Sequence, residues 1–201
     1  MNDDLCTRVE AVLRHVNPDA QTTVHRLIEK FGSISAAADA DLLNVADALG
    51  GDMSTSLYIK LVCALISRRR CDLFKFGKKH SDEEIESYLI SLFLGLSVET
   101  VYLLSLRGGK VVSCERVGEG TVNTSNVLPR KLIEIAKRNM ADSVIIAHNH
   151  PGGYASPSDD DVAGTRMLRE CFASAGVKML SHYVVAGSGC RKVDVDYHGR
   201  I

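Results

Sequence analysis

The sequence predicts an α/β (α+β) protein, in which a mixed β-sheet is sandwiched by helices and preceded by a small all-α region. Three observations carry this reading. The first 70 or so residues place their apolar side chains at helical spacing only. Beyond Glu99, short apolar runs with strand character alternate with helical patterns. One of those runs, Ser143-Val144-Ile145-Ile146-Ala147, is apolar without alternation, as in a central strand buried on both faces.

In order along the chain, Leu5, Val9, Val12, Leu13 and Val16 recur at helical spacing. So do Val24, Leu27, Ile28 and Phe31, after which Gly32 can cap a helix end. Asp41 to Leu49 reads as a short third helix, broken by Gly50-Gly51-Asp52. Tyr58, Leu61, Val62, Leu65 and Ile66 then line one face of a fourth, which Arg68 to Arg70 close favourably at the negative end of the helix dipole. The basic, glycine-containing stretch that follows reads as a linker, and Ser81 to Glu84 matches a capping box in front of the stripe Ile85, Tyr88, Leu89, Leu92, Phe93 and Leu96. Residues 1–71 are thus expected to form a helical domain, 72–80 a linker and 81–201 a second domain.

In the second part, Glu99 to Leu106 and Lys110 to Val117 read as strands joined by Arg107-Gly108-Gly109. Pro129 suits the first position of a helix through Leu132, Ile135, Ala136 and Met140. After the apolar run at 143–147 and a Gly/Pro-rich loop, Asp159 to Ala175 reads as a helix, with Val177 to Ala186 and Cys190 to Val195 as closing strands. The 45% hydrophobic and 24% charged composition suits a chain that buries a core, and the formal net charge of -1 supplies no global reason to bind nucleic acid. Six cysteines occur without a Cys-x-x-Cys pair and no secretory leader is evident, so they are expected to be reduced and structural. With no apolar run of the roughly 18 residues that a span requires, the expectation is a soluble, cytoplasmic protein without membrane contact.

The chemistry concentrates after the apolar run. His148 and His150 follow it directly, and residues i and i+2 of an extended chain point to one side, so two imidazoles can grip one ion. Ser158 is a good N-cap with Asp161 at the third helical position, which a capping box alone would explain. Yet stepping back from Leu168 through Thr165 and Gly164 puts Asp161 on the inward stripe of its helix, where an unpaired carboxylate is costly and calls for a cation or strong donors. Asp159 and Asp160 fall on other faces and suit the helix N-terminus electrostatically. Two His and one Asp make the three-ligand set of a catalytic Zn2+ site, whose open position takes water; zinc lowers that water's pKa to about 7. A further carboxylate is then needed to take and return the proton.

The set His148-Asn149-His150-Pro151, Gly153, Pro157-Ser158 and Asp161 resembles the RadC-like branch of the JAMM (MPN+) metallohydrolases. Gly120-Thr121, Pro129-Arg130 and Ala136 are similar to the family's run leading into the metal loop, and Leu180-Ser181-His182 to its Leu-Asp-His strand, with Ser181 replacing Asp. The resemblance covers roughly Glu99 to Val195 and implies a JAB/MPN-type, cytidine-deaminase-like fold. It also implies metalloprotease- or isopeptidase-type hydrolysis of an amide in an unidentified peptide or protein. A general acid/base glutamate is implied on a strand before the Gly-Thr pair; Glu115 occupies that place, with Glu119, in a glycine-flanked turn, as a rival. Ser158 would donate to the developing oxyanion. His182 is a supporting residue or simply core, while His15, His25, His80 and His198 are expected at the surface or in packing.

The region from His25 to Ile66 resembles the helix-hairpin-helix domain that precedes the catalytic domain in RadC-like proteins, especially at Leu27-Ile28-Glu29-Lys30-Phe31-Gly32-Ser33. Such hairpins present a Gly-apolar-Gly turn to phosphate. Gly50-Gly51-Asp52 departs from this, and its acid repels phosphate, which leaves packing or protein contact as the other role. Arg68 to Arg70 with Lys75, Lys78 and Lys79 could form a basic patch or a solvated helix end. The alternative to a zinc hydrolase is therefore a DNA-associated repair or mobile-element accessory protein, nuclease-like or with a structural metal. The sequence leaves room for a homodimer.

Overall fold

A computed structural model describes residues 2–119, 129–151 and 153–195, with side chains from Leu5 onward. The Gly120-Thr121 pair and His198 lie outside the described residues. Five helices come first: α1 (Asn2–Leu13), α2 (Ala20–Phe31), α3 (Ile34–Asp39), α4 (Leu42–Ala48) and α5 (Met53–Leu73). Leu13, Val24, Leu27, Ile34, Val45 and Ile59 meet in their common core. Gly32, at φ +80°, ends α2 in a left-handed cap whose N–H is bonded to Ile28 O. Asp41 and Asp52 cap α4 and α5 by accepting the N–H groups of Leu43 and Thr55.

In the helical bundle, α3 and α5 depart from the sequence reading. α3, a helix of six residues, was hidden in the small-residue stretch Ser35-Ala36-Ala37-Ala38, which carries too little periodic contrast to read. α5 begins earlier and buries Ile59, Val62 and Cys63, while Leu61 and Leu65 face outward. Apolar residues on both faces of one helix defeat a single-stripe reading.

The second part holds α6 (Asp82–Phe93), β1 (Thr100–Arg107), β2 (Lys110–Glu119), α7 (Pro129–Arg138), β3 (Ser143–Asn149), α8 (Asp159–Ser174), β4 (Lys178–Ala186) and β5 (Gly189–Lys192). The sheet order is β2-β1-β3-β4-β5. β3 runs antiparallel to β1 and parallel to β4, and α8 makes the crossover that a parallel pair requires. All seven residues of β3 are buried. Val144 and Ile146 point to one face, where Leu132, Ile135, Leu168 and Phe172 of α7 and α8 cover them. Ile145 and Ala147 point to the other, under Ile85, Leu89 and Phe93 of α6. This is the α+β sandwich expected from the sequence.

The segment after α5 joins the sheet edge: Gly77 N–H donates to Val111 O, and Val111 N–H to Lys78 O. The helical bundle touches the second part through Asp39, whose carboxylate accepts the Gly95 N–H at 2.5 Å and that of Gly187 in the β4–β5 turn. Burial pushes the Asp39 carboxyl up to about 6, against the opposing pull of those two N–H groups and of Lys60. No helix among the described residues is long and apolar enough to cross a membrane.

Candidate metal centre

The alternation of β3 determines which face each histidine takes. His148 shares the side of Val144 and Ile146, beneath α8, and is fully buried. Asn149, one residue on, faces the opposite way. It accepts Thr100 N–H at 2.8 Å and donates to Val98 O at 3.2 Å, thereby bracketing Glu99 from both sides. His150 leaves the strand end, held by its N–H to Val185 O.

On the helix side, Ser158 and Asp161 form a reciprocal capping box. Asp161 N–H donates to Ser158 Oγ at 3.1 Å, while Asp161 Oδ2 accepts Ser158 N–H at 2.8 Å and the Ser158 hydroxyl at 2.6 Å. Asp161 is only 2% exposed. Burial opposes its charge, but contact with His148 and the two Ser158 donors outweigh it and hold the carboxyl well below the usual range.

The ligand atoms converge. His148 Nε2 lies 3.0 Å from His150 Nε2 and 3.0 Å from Asp161 Oδ1, and His150 Nε2 lies 3.4 Å from Asp161 Oδ2. Ligands about 2.0–2.1 Å from a tetrahedral zinc stand roughly 3.3 Å from one another, so these separations suit one small cation. Glu99 joins them, its oxygen within 4.8 Å of the ligand nitrogens of both histidines. Its Oε1 is buried without a hydrogen-bond partner. Burial raises the Glu99 carboxyl above its ordinary value, with Asp161 adding to the rise and the two histidines opposing it.

A chain of hydrogen bonds behind His148 dictates which ring atom faces this cluster. The Thr165 hydroxyl donates to Asp161 O at 2.5 Å, because a carbonyl can only accept. Thr165 Oγ1 must then accept from His182 Nδ1, 2.6 Å away. His182 is fully buried, and burial together with His148 depresses its pKa to about 3, so the ring is neutral and its Nε2 is an acceptor. It therefore takes a hydrogen bond from His148 Nδ1 at 2.8 Å. His148 Nε2 is left turned toward Asp161 and His150, where a proton or a metal cation reconciles atoms that otherwise only accept. His150 Nδ1 is 3.3 Å from Tyr154 O, which in the same way leaves Nε2 for the cluster.

The structure brings His148, His150, Asp161 and Ser158 together, but not Glu115. The Glu115 carboxylate is bonded to Arg138 and to Asn139 Nδ2. It pairs with Leu103, which pairs in turn with Ile146, so β1 stands between it and the histidine strand. That puts it about 10 Å across the sheet and about 7 Å along it from His148. The assignment of Glu115 as general acid/base is corrected accordingly: the carboxylate at the cluster is Glu99. Glu119 is bonded to Arg116 on the same edge strand. Ser158 gives its single proton to Asp161, so in this arrangement it orients a carboxylate rather than facing a substrate.

The sequence reading missed Glu99, Asn149 and Thr165 and left His182 open. A signal was available for Glu99: an acid opening an otherwise apolar strand, and a strand antiparallel to β3 necessarily starts beside the end where the histidines sit.

Residues 79–193 match the family model described as RadC-like JAB domain. A UPF0758 protein of Nitrosococcus oceani is 32% identical over 163 residues, spanning 79% of this chain and 72% of that protein. Another from Herminiimonas arsenicoxydans is 29% identical over 163 residues, spanning 80% and 73%. One from Clostridium perfringens is 27% identical over 177 residues, spanning 87% and 78%.

Proposed function

The chain belongs to the RadC-like JAB domain family, and from that premise we propose that it is a zinc-dependent hydrolase that cleaves an amide bond in a peptide or protein. The observation that carries this is the convergence of His148 Nε2, His150 Nε2 and Asp161 Oδ1 beside a buried, unpartnered Glu99 oxygen. In the proposal His148, His150 and Asp161 hold the metal. Zinc bound there supplies Lewis acidity, acidifying water and polarising a carbonyl.

The protein's own residues do the rest. Glu99 takes a proton from water on Oε1 and returns it to the departing nitrogen, a task suited by a carboxyl already raised by burial. Asn149 keeps the backbone on either side of Glu99 fixed, so that the acid cannot drift from the cluster. Ser158 locks the rotamer of Asp161, and the Thr165–His182 pair fixes the ring of His148. The oxyanion role for Ser158 requires its proton to turn away from Asp161.

The DNA-associated alternative gains no support. At the turn where a hairpin would cradle phosphate, Asp52 puts a carboxylate at the start of α5, and Arg68 is already paired with Asp72.

The test is elemental analysis of protein purified without chelator, followed by cleavage assays on peptide and isopeptide substrates. Stoichiometric zinc is expected, lost in His150→Ala. Glu99→Gln should keep the metal and lose about 10²–10⁴-fold in turnover. Absence of metal from the wild-type protein, or unimpaired turnover in Glu99→Gln, would end this reading.

A further inference from the structure

α5 buries Ile59, Val62 and Cys63 against the bundle. On its opposite side Leu57, Leu61 and Leu65 are 59%, 53% and 61% exposed, with Met53 and Ala64 exposed beside them. Their spacing of four residues makes one row, inclined to the helix axis. An apolar stripe on a helix ordinarily faces other packed residues. Here one side is uncovered among the described residues, and its two ends carry opposite charge: Asp52 at the start, Arg69 near the end beside the Arg68–Asp72 pair.

We propose that this face is a two-fold interface, where α5 packs antiparallel against α5 of a second copy of this chain, with Leu61 on the axis. Symmetry about Leu61 sets Leu57 of each copy opposite Leu65 of the other. The same register sets Met53 opposite Arg69 and brings Asp52 beside Arg69 and Arg70. Each acidic end thus meets a basic end twice over, and the two helix dipoles oppose. A parallel pair would instead stack the arginines on one another, so the charge pattern selects the antiparallel arrangement. Ala64, next to the stripe, lets the helix axes approach closely. Five such side chains, on the order of 100 Å² each, form a patch of the few hundred Å² that marks an interaction surface. With its charged flanks, the pair would bury on the order of 1,000 Å², the threshold for a specific but readily dissociated dimer.

The experiment is light scattering and sedimentation equilibrium on the full chain over a dilution series. The mass expected at high concentration is twice the 21.9 kDa of one chain, falling on dilution. Leu61→Lys sets two ammonium groups face to face on the axis and should weaken dimerisation about 30-fold or more. Because residue 61 points outward, the far-UV dichroism of that variant should be unchanged. Leu65→Gln is the milder second variant should Leu61→Lys misfold. Arg68→Glu with Arg69→Glu should also weaken the dimer. Met140→Lys, at an exposed apolar position in the turn after α7, should not. A wild-type protein that stays at the single-chain mass at its highest soluble concentration overturns the proposal. So does a dimer indifferent to both Leu61→Lys and Leu65→Gln. A monomer that floats with anionic lipid vesicles would assign the stripe to a membrane surface and overturn it equally.

Discussion

Thr165→Val tests the chain of hydrogen bonds behind His148 while leaving every proposed ligand side chain in place. Valine nearly matches threonine in shape but can neither accept from His182 Nδ1 nor donate to Asp161 O, contacts of 2.6 and 2.5 Å in the native protein. Both histidines and Thr165 are fully buried, so water cannot replace the lost partner. An unsatisfied buried N–H costs about 1–3 kcal/mol. For a chain of this size that corresponds to a fall in Tm of roughly 3–10 °C. The metal effect is separate. Without Thr165, His182 is free to move its proton to Nε2, where it opposes the Nδ1–H of His148 and turns that ring from its bearing on Asp161. Loss of such an outer partner typically weakens metal affinity 10–100-fold. Competition for zinc between the apoprotein and a chromophoric chelator reads the second effect, and 15N chemical shifts of the histidine rings report the tautomers directly. A variant that melts early but binds zinc like the wild type, with His182 still protonated on Nδ1, would refute the relay and leave Thr165 a packing residue.

Three other outcomes are expected. Asp39→Asn should flatten the pH dependence of stability between about pH 4 and 6: a carboxyl raised from 3.8 to about 6 contributes stability that is fully present below 3.8 and lost as pH rises through 6. At neutral pH the variant, which keeps an oxygen for the Gly95 N–H, should gain up to about 3 kcal/mol in urea titrations, and a loss there with the slope intact would count against this account. Glu115→Gln should leave zinc content and turnover near wild type and cost only about 1 kcal/mol of stability through its weakened contact with Arg138, whereas a collapse in turnover would restore Glu115 as the acid/base. Asn149→Ala should lower turnover at least tenfold while metal binding persists, because Glu99 loses its brackets at Thr100 and Val98; unchanged turnover would show that Glu99 needs no such support.

Much of the second part was legible because its signals are local. The unbroken apolar run before His148 announced a central strand, and the inward stripe through Leu168 and Thr165 placed Asp161 beneath it, where it is indeed buried. What could not be read was register. Glu99 immediately precedes β1 and Glu115 lies in β2, and only the pairing of Val101 with His148, against that of Leu103 with Glu115, separates the residue at the cluster from the one bound to Arg138. Thr165 and His182 were hidden for the same reason: each looks like ordinary core until β4 is laid parallel to β3. In the helical region, period joins Leu61 and Leu65 to Tyr58, Val62 and Ile66 on one face of α5 but does not say which of two apolar faces is covered.

The parallel pairing of β3 with β4 also bears on when the centre comes into being. His150 and Asp161 are 11 positions apart, but His148 is oriented by a residue 34 positions on, across the α8 crossover. An unfolded chain offers a cation little more than a flexible His-x-His pair. Small zinc modules fold around their ion, whereas here the sheet must zip and α8 must dock before the donors face one another. Folding would thus precede loading of the proposed ion.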